Sequence, residues 1–388
     1  MKKRRILILS STSLSLINFR GDFIRHLLSH GFEVVAAAPN FHPDVVIELK
    51  TIGVDSAEYQ LQRTGLNPYK DLKTYFELKK LIRDHQIDLV FPYTIKPVIY
   101  GSLAANACGI STVSLITGLG FTFSGASQKA KILQRVTAYL YKKALGKNKM
   151  VIFQNEDDPK LFLDEGIIDA QQPYTVVNGS GVNLERYPFR EKKNTGGRII
   201  FLLVARLIKE KGVQLYIQAA SKLKPDFPEA EFHIIGSPAT SPSAISLEEL
   251  HTLHEAGTIV YHGRQKKVSD FLTGSDVFVL PTYYREGVPR SILEALSVGL
   301  PIITTNSPGC RETVQAGRNG LLIAPRDQEQ LNNALEYFIG NRSEIHKMGL
   351  ESRRLAEEKF DVHIINDFLL QQIQSVLEPE STVSGHIG

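Results

Sequence analysis

DVFVLPTYYREGVPRSILEALSVGLPIITTNSPG, residues 276–309, decides the fold. Its first apolar run, 276–280, has β-type composition and stops at Pro281. A polar loop follows over 282–287. Pro289 sits where a first helical residue belongs, since its fixed φ suits that place and its missing N–H would be unpaired there anyway. Residues 291–298 read as a helix closed by Gly299, and 301–305 as a second strand. The pattern is strand, acidic loop, helix, strand. Two glutamates mark it. Glu286 lies in the loop at the carboxyl end of a strand, where open α/β sheets bind ligands. Glu294 lies about a turn and a half into the helix and reaches the same crevice at another depth. A carboxylate accepts two hydrogen bonds from a vicinal diol, so two acceptors at two depths suit a ligand with a sugar at one end and a ribose at the other. Taken singly, each glutamate is as well explained as a solvated charge.

The same alternation fills the chain on both sides. A polar stretch, 191–197 (EKKNTGG), reads as a linker. After it come strand 199–204, helix 212–223 and strands 231–235 and 258–261. Helices near 328–339, 343–359 and 361–377 follow the central stretch. Before the linker, strands at 5–10, 32–38, 54–60, 88–91, 113–117, 150–154 and 175–178 alternate with helices at 21–29, 69–85, 98–108 and 129–145. The first connection, SSTSLSLINFRG, lacks G-x-G-x-x-G and is read as a polar loop over 11–20. The expected fold is α/β, with two Rossmann-like, doubly wound parallel-sheet domains at 1–190 and 198–360. A last helix, about 361–378, is expected to cross back onto the first domain, and the polar tail 379–388 to be disordered. The cleft between the two sets of strand ends is the expected ligand place.

Bulk properties exclude several classes. The 388 residues are 43% hydrophobic with a formal net charge of +4, ordinary for a folded chain and no sign of a nucleic-acid binder. Two cysteines, Cys108 and Cys310, fit a reducing compartment and not a disulfide scaffold. The start MKKRRILILSSTS has too short an apolar run for a signal peptide, and no run approaches the ~18 residues of a spanning helix. A cytoplasmic location is expected.

Further groups carry chemistry. Arg206 lies just past strand 199–204, and Lys211-Gly212 opens the next helix. A guanidinium, an ammonium and a helix N-terminus at one spot make a diphosphate site; an exposed basic turn is the plainer reading. Gly236-Ser237-Pro238 and Gly263-Arg264 are small-residue loops at strand ends, open to a base or phosphate or simply turns. In the first half, Thr117-Gly118-Leu119-Gly120 and Tyr93-Thr94-Ile95-Lys96 could line the opposite wall. Residues 128–150 hold Lys129, Lys131, Arg135, Lys142, Lys143, Lys147 and Lys149 and no acid, with Ile132, Leu133, Val136, Leu140 and Tyr141 at helical spacing. A basic amphipathic helix of this kind lies on an anionic membrane surface, or packs with a solvated basic face. Glu156-Asp157-Asp158 reads as the acidic start of a helix more than as a Mg²⁺ clamp. His251 and His254 lack a third ligand for zinc.

Arg206…Lys211-Gly212 and Glu286-Gly-Val-Pro-Arg-Ser-Ile-Leu-Glu294, an E-x7-E pattern, resemble the donor-binding signatures of retaining nucleotide-sugar glycosyltransferases of family 4, which have the GT-B fold. Asn178-Gly179-Ser180-Gly181-Val182 with Tyr187 is similar to the family's interdomain segment. Lys96-Pro97-Val98-Ile99-Tyr100-Gly101 and the 116–120 loop resemble the bacterial branch that extends undecaprenyl-diphosphate-linked sugars with N-acetylgalactosamine and other hexosamines. The resemblance implies that Arg206 and Lys211 hold the diphosphate, that Glu294 binds ribose, and that Glu286 contacts the donor sugar beside the backbone of Gly287, Val288, Pro289 and Arg290. It makes Glu286, Arg206 and Lys211 the catalytic set, with Gly236 and Arg264 further along the donor site. Gly21 takes the place of the family's phosphate-proximal glycine loop, here Phe19-Arg20-Gly21, with Arg20 supplying charge. Arg20, Tyr93, Thr94, Lys96, Gly118 and Gly120 fall on the acceptor side; the histidine often found in that wall is absent from 93–96.

The implied partners are a UDP-sugar donor, a polyprenyl-diphosphate-linked sugar acceptor and, through helix 128–150, the cytoplasmic face of the inner membrane. No nucleic acid is expected. No cofactor or metal is needed if two cations stabilise the leaving diphosphate. Same-face attack and double displacement through Glu286 both stay open. A UDP-sugar 2-epimerase of the same fold, or a nucleotide-sugar-binding protein without turnover, are the alternatives.

Overall fold

Runs such as RILIL, EVVAAA and IIFLLV are apolar throughout once past the charged first residues Arg5 and Glu33, as strands buried on both faces must be. The computed structural model describes residues 3–378 apart from 64, 66, 121–122, 124–127, 192–196, 239–240 and 242, and for 129 and 130 the backbone. The chain divides into two units, 1–180 with 364–388, and 181–363.

In the first unit, β1 (Arg5–Leu9), β2 (Glu33–Ala38), β3 (Asp55–Glu58), β4 (Leu89–Pro92), β5 (Ser111–Ile116), β6 (Met150–Phe153) and β7 (Tyr174–Val176) form a parallel sheet. Its order is β3-β2-β1-β4-β5-β6-β7. The connecting helices are α1 (Ser13–Asn18), α2 (Gly21–Ser29), α3 (Pro43–Thr51), α4 (Pro68–Asp84), α5 (Ile95–Ala107), α6 (Gln128–Leu145) and α7 (Asp157–Asp164). Alternate residues of β1 serve opposite cores: Leu7 and Leu9 join Val35 and Val90 on one face, and Ile6 and Ile8 join Val34 and Phe91 on the other.

The second unit repeats the scheme with β8 (Ile199–Val204), β9 (Ala230–Ile235), β10 (Val260–Tyr261), β11 (Val277–Leu280), β12 (Ile302–Thr305) and β13 (Gly320–Ile323), all parallel, in the order β10-β9-β8-β11-β12-β13. Helices α8 (Val213–Leu223), α9 (Leu247–Glu255), α10 (Val268–Gly274), α11 (Arg290–Val298), α12 (Gln328–Gly340) and α13 (Arg342–Leu355) cover it. A π-helical turn, Ala356–Phe360, then leads into α14 (Val362–Leu377). Ile365, Leu369, Leu370 and Ile373 of α14 are buried with Phe23, Ile24 and Leu27 of the first unit.

The structure corrects several expected boundaries. Residues 181–190 belong to the second unit, where Val182 and Tyr187 are buried against Leu293 and Leu296 of α11. The loop expected at 11–20 contains α1, and the helix expected from 98 already begins at Ile95. Pro289 is the N-cap, not the first helical residue, with an extended ψ of 117°. The basic helix stops at Leu145, so Lys147 and Lys149 lie beyond it, and the side chain of Lys129 lies outside the described residues. So do most of the expected linker and the tail 379–388.

Candidate active site

In each sheet the strand order reverses at one point, between β1 and β4 and between β8 and β11. Connections leaving two adjacent strands in opposite directions there open a crevice at the carboxyl ends. Of the predicted residues of the second unit, Arg206, Lys211 and Glu286 lie on the connections that leave β8 and β11 at its switch point.

The β8–α8 connection is drawn onto the end of β11 by a glycine. Gly212 has φ +76°, and a Cβ there would lie 2.1 Å from the Pro281 carbonyl oxygen, so only glycine permits the approach. Thr282 Oγ1 and the Tyr283 N–H both donate to the Glu210 carbonyl, at 3.0 and 2.9 Å. The 3₁₀ turn Lys209–Lys211 is thereby fixed beside the β11–α11 loop. Gly309, at φ +81°, presses from the other side, where a Cβ would lie 1.7 Å from the Gly287 carbonyl oxygen. The loop holding Glu286 and Gly287 is clamped between these two glycines.

This clamp brings the predicted charges together. Lys211 forms an ion pair with Glu286, and the two side chains are only 10% and 15% exposed. Tyr284 was not foreseen. Its ring lies 5.4 Å from the Arg206 guanidinium and 5.6 Å from the Lys211 ammonium, so one aromatic ring contacts both cations. Cys310 is fully buried nearby; burial, then the Glu286 charge, push its thiol up to about 12.

Glu294 faces inward from α11. It accepts from the Tyr187 phenol at 2.8 Å and from Arg290 Nε at 3.0 Å. Both donors converge on Oε1, and Oε2 takes neither. Burial, then the Glu294 charge, raise the Tyr187 phenol well above its usual value and keep it a donor. The Arg290 contact is an ordinary i,i+4 pair, so the side chain predicted to offer only backbone groups also supports Glu294. Gly287, Val288 and Pro289 are buried in the loop between the two glutamates. Gly236 sits against the Ala205 carbonyl, and its N–H donates to Gly263 O at 3.0 Å. Those two small-residue loops are therefore neighbours, with Arg264 exposed beside them.

The first unit treats its predicted residues differently. Arg20 is 2% exposed, with its guanidinium 5.3 Å from the centre of the Tyr93 ring, so the charge expected to face a ligand is a buried one. The Tyr93 hydroxyl bonds to Ser15 at 2.8 Å, and burial raises its pKa. Gly21 begins α2 and belongs to no phosphate-type loop. Lys96 donates to Asp71 at 2.7 Å. Thr94 takes φ +68°, an unusual conformation for a β-branched residue, at the N-cap of α5. Gly118 and Gly120 also have positive φ, at 101° and 60°. At 156–158 the helix start is capped by Asn155, whose Oδ1 accepts from the N–H groups of Asp157 and Asp158. No group of three metal-binding side chains occurs among the described residues.

Comparison with known proteins bears on the family and the fold. The Glycosyl transferase 4-like family matches residues 5–155, and Glycosyl transferases group 1 matches residues 185–355, the segment holding Arg206, Lys211, Glu286 and Glu294. The chain is 28% identical over 389 residues to the N,N'-diacetylbacillosaminyl-diphospho-undecaprenol alpha-1,3-N-acetylgalactosaminyltransferase of Campylobacter jejuni, covering 96% of this chain and 99% of the relative. It is also 28% identical to the UDP-Gal:alpha-D-GlcNAc-diphosphoundecaprenol alpha-1,3-galactosyltransferase of Escherichia coli, covering 69% of this chain and 70% of the relative. Two solved structures share the fold: a glycosyltransferase from Rickettsia africae (TM-score 0.76, 18% identity, 98% and 100% covered) and Anabaena HepE in complex with UDP (0.75, 17%, 96% and 100%). The fold is GT-B, with two Rossmann-like parallel-sheet units.

Proposed function

We propose, from the premise that this chain belongs to the glycosyltransferases that join a 4-like domain to a group 1 domain, that it transfers an N-acetylhexosamine such as N-acetylgalactosamine from a UDP-sugar to a lipid-diphosphate-linked saccharide, with retention of configuration. The observation that carries the donor half is the pairing of Arg206 and Lys211 on one Tyr284 ring, with Glu286 against Lys211. The acceptor half is supported by the substrates after which the two relatives are named, both sugars on a diphospho-undecaprenol carrier.

Breaking a glycosyl–phosphate bond puts positive charge on the sugar and negative charge on the diphosphate. Fixed cations aimed at the leaving oxygens stabilise that charge without reorganising. Arg206 and Lys211 have this role, and Tyr284 and Glu286 orient them in advance. Glu294 offers Oε2 to the ribose hydroxyls while Tyr187 and Arg290 hold Oε1. The acceptor hydroxyl attacks from the face the diphosphate leaves, and the leaving phosphate takes its proton. The cations make a metal unnecessary, so turnover should persist in chelator; loss restored by Mg²⁺ or Mn²⁺ would contradict this. No helix among the described residues is long and apolar enough to cross a membrane. The exposed Lys131, Arg135, Lys142 and Lys143 of α6 are the proposed contact with an anionic bilayer.

The test is incubation with a panel of UDP-sugars and undecaprenyl-diphosphate saccharides. Lengthened lipid-linked product carrying the donor's anomeric configuration is expected. Conversion of UDP-sugar without acceptor would favour the epimerase.

A further inference from the structure

The first unit holds a second feature that the transfer chemistry does not use. A groove of about 600 Å³ runs between α4 and α6, with α5 as its floor. Tyr100, Leu103 and Ala107 line it from α5 at i, i+3 and i+7 spacing, one stripe of that helix. Lys96, one turn before Tyr100, stands at the end of the stripe next to the carboxyl end of β4. From Tyr100 to Ala107 the floor is about 10 Å long at the helical rise of about 1.5 Å per residue, with Lys96 a further turn away. The single carboxylate in the lining, Asp71, is neutralised by Lys96 at 2.7 Å. Tyr100, its phenol raised by burial and then by Asp71, stays an uncharged hydrogen-bonding wall.

The rim is apolar as well. On α4, Tyr69, Leu72 and Phe76 are 79%, 54% and 56% exposed at i, i+3 and i+7. On α6, Ile132, Val136 and Tyr139 are 60%, 37% and 60% exposed at i, i+4 and i+7. Side chains of this size rarely stand exposed on both helices that flank one groove unless a partner covers them. Exposed cations flank them, Lys80 on α4 and Arg135 and Lys142 on α6, while Lys73 pairs with Glu77 at 3.9 Å. An apolar trough with a cationic border and one end at the sheet's carboxyl edge matches an anionic diphosphate that continues into a hydrocarbon chain.

We propose that this groove seats the carrier-proximal part of the acceptor's polyprenyl chain. The diphosphate lies toward the Lys96 end, and the isoprenoid runs along Tyr100, Leu103 and Ala107 between Leu72 and Val136. This rests on the lipid-diphosphate acceptor assigned above. The groove would then select acceptors by lipid as well as by sugar.

The test uses the full-length protein in detergent and two acceptors with the same saccharide diphosphate, one on undecaprenol and one on a short, water-soluble alkyl chain. Wild type should show a KM for the long-chain acceptor at least tenfold below that for the short one, the weight of about two buried methylenes. Leu103→Trp, which fills the groove, and Val136→Glu, which charges its rim, should each remove most of that difference. Their kcat and KM on the short chain should stay at wild-type values, which also certifies folding. Unchanged long-chain KM in both variants would overturn the proposal. So would variants that lose binding to phosphatidylglycerol vesicles while the long-chain preference survives in detergent, since the groove would then serve bilayer lipid. A wild-type protein that extends neither acceptor would overturn the acceptor assignment itself, a different failure from a protein that extends both equally well.

Discussion

Replacing Lys211 by methionine separates what the Lys211–Glu286 pair does for folding from what it does for turnover. Methionine keeps the length and the apolar stem and removes the charge. Glu286 is then left as a carboxylate with about 15% exposure against the buried Cys310. Breaking a buried ion pair from one side costs about 3–5 kcal/mol. Both side chains keep some exposure, so the low end, about 3 kcal/mol, is expected. For a domain of this size that lowers Tm by roughly 6–12 °C. Turnover should fall by about 10²–10³, the usual loss for one donor at a developing anion. The double variant Lys211→Met/Glu286→Gln removes the carboxylate's charge as well. Its stability should return to within about 1 kcal/mol of wild type, because apolar or neutral replacements of a buried pair are often tolerated. Its rate should stay low. Scanning calorimetry gives the first quantity and UDP release the second. A double variant as unstable as the single one would refute the assignment of Lys211 as the partner that makes Glu286 tolerable. Near-normal rates in both would refute its role on the diphosphate.

Other outcomes follow from the same geometry. Tyr187→Phe removes a hydrogen bond to a charged acceptor, worth about 1.5–3 kcal/mol, and should raise KM for the UDP-sugar more than it lowers kcat; equal loss in both would place Tyr187 outside donor binding. Cys310 has its pKa raised by burial, so its stabilising effect is complete below about pH 9 and is lost as pH rises toward about 12; denaturant titrations of wild type and Cys310→Ala should diverge only in that alkaline window, and parallel curves would contradict it. His233 and His262, 3.1 Å apart on β9 and just after β10, both have their pKa lowered, first by burial. They are neutral in the fold, so stability should be full above about pH 6.5 and fall as pH drops below it. A His233→Gln/His262→Gln variant should show a flatter acid limb, and an unchanged limb would exclude the pair as its source.

The central strand–loop–helix–strand stretch was readable because its punctuation is strong: an apolar run ended by Pro281, a proline before the helix and Gly299 after it. The α3 helix was missed because only Val45 and Leu49 of its nine residues are buried, too few to show a period. The α10 helix is two turns long, and β13 is four residues at a sheet edge. Of the site, the charged residues were legible because Arg206, Lys211 and Glu286 fall at strand and helix ends and Glu294 follows Glu286 at the E-x7-E spacing. Tyr284 was not, because loop residues have no periodicity and its meaning depends on two cations 73 and 78 positions earlier. Tyr187 was noted only for the chain segment it follows; its bond to Glu294 spans 107 positions. Arg20 misled because a charge beside a glycine reads as exposed, whereas here it lies against Tyr93.

A structure with bound UDP bears most directly on the account. The diphosphate is expected within hydrogen-bonding distance of Arg206 and Lys211, with the ribose on Glu294 Oε2 and the Tyr187–Glu294 bond intact. UDP seated elsewhere, or a diphosphate that leaves both cations on the Tyr284 ring untouched, would contradict it.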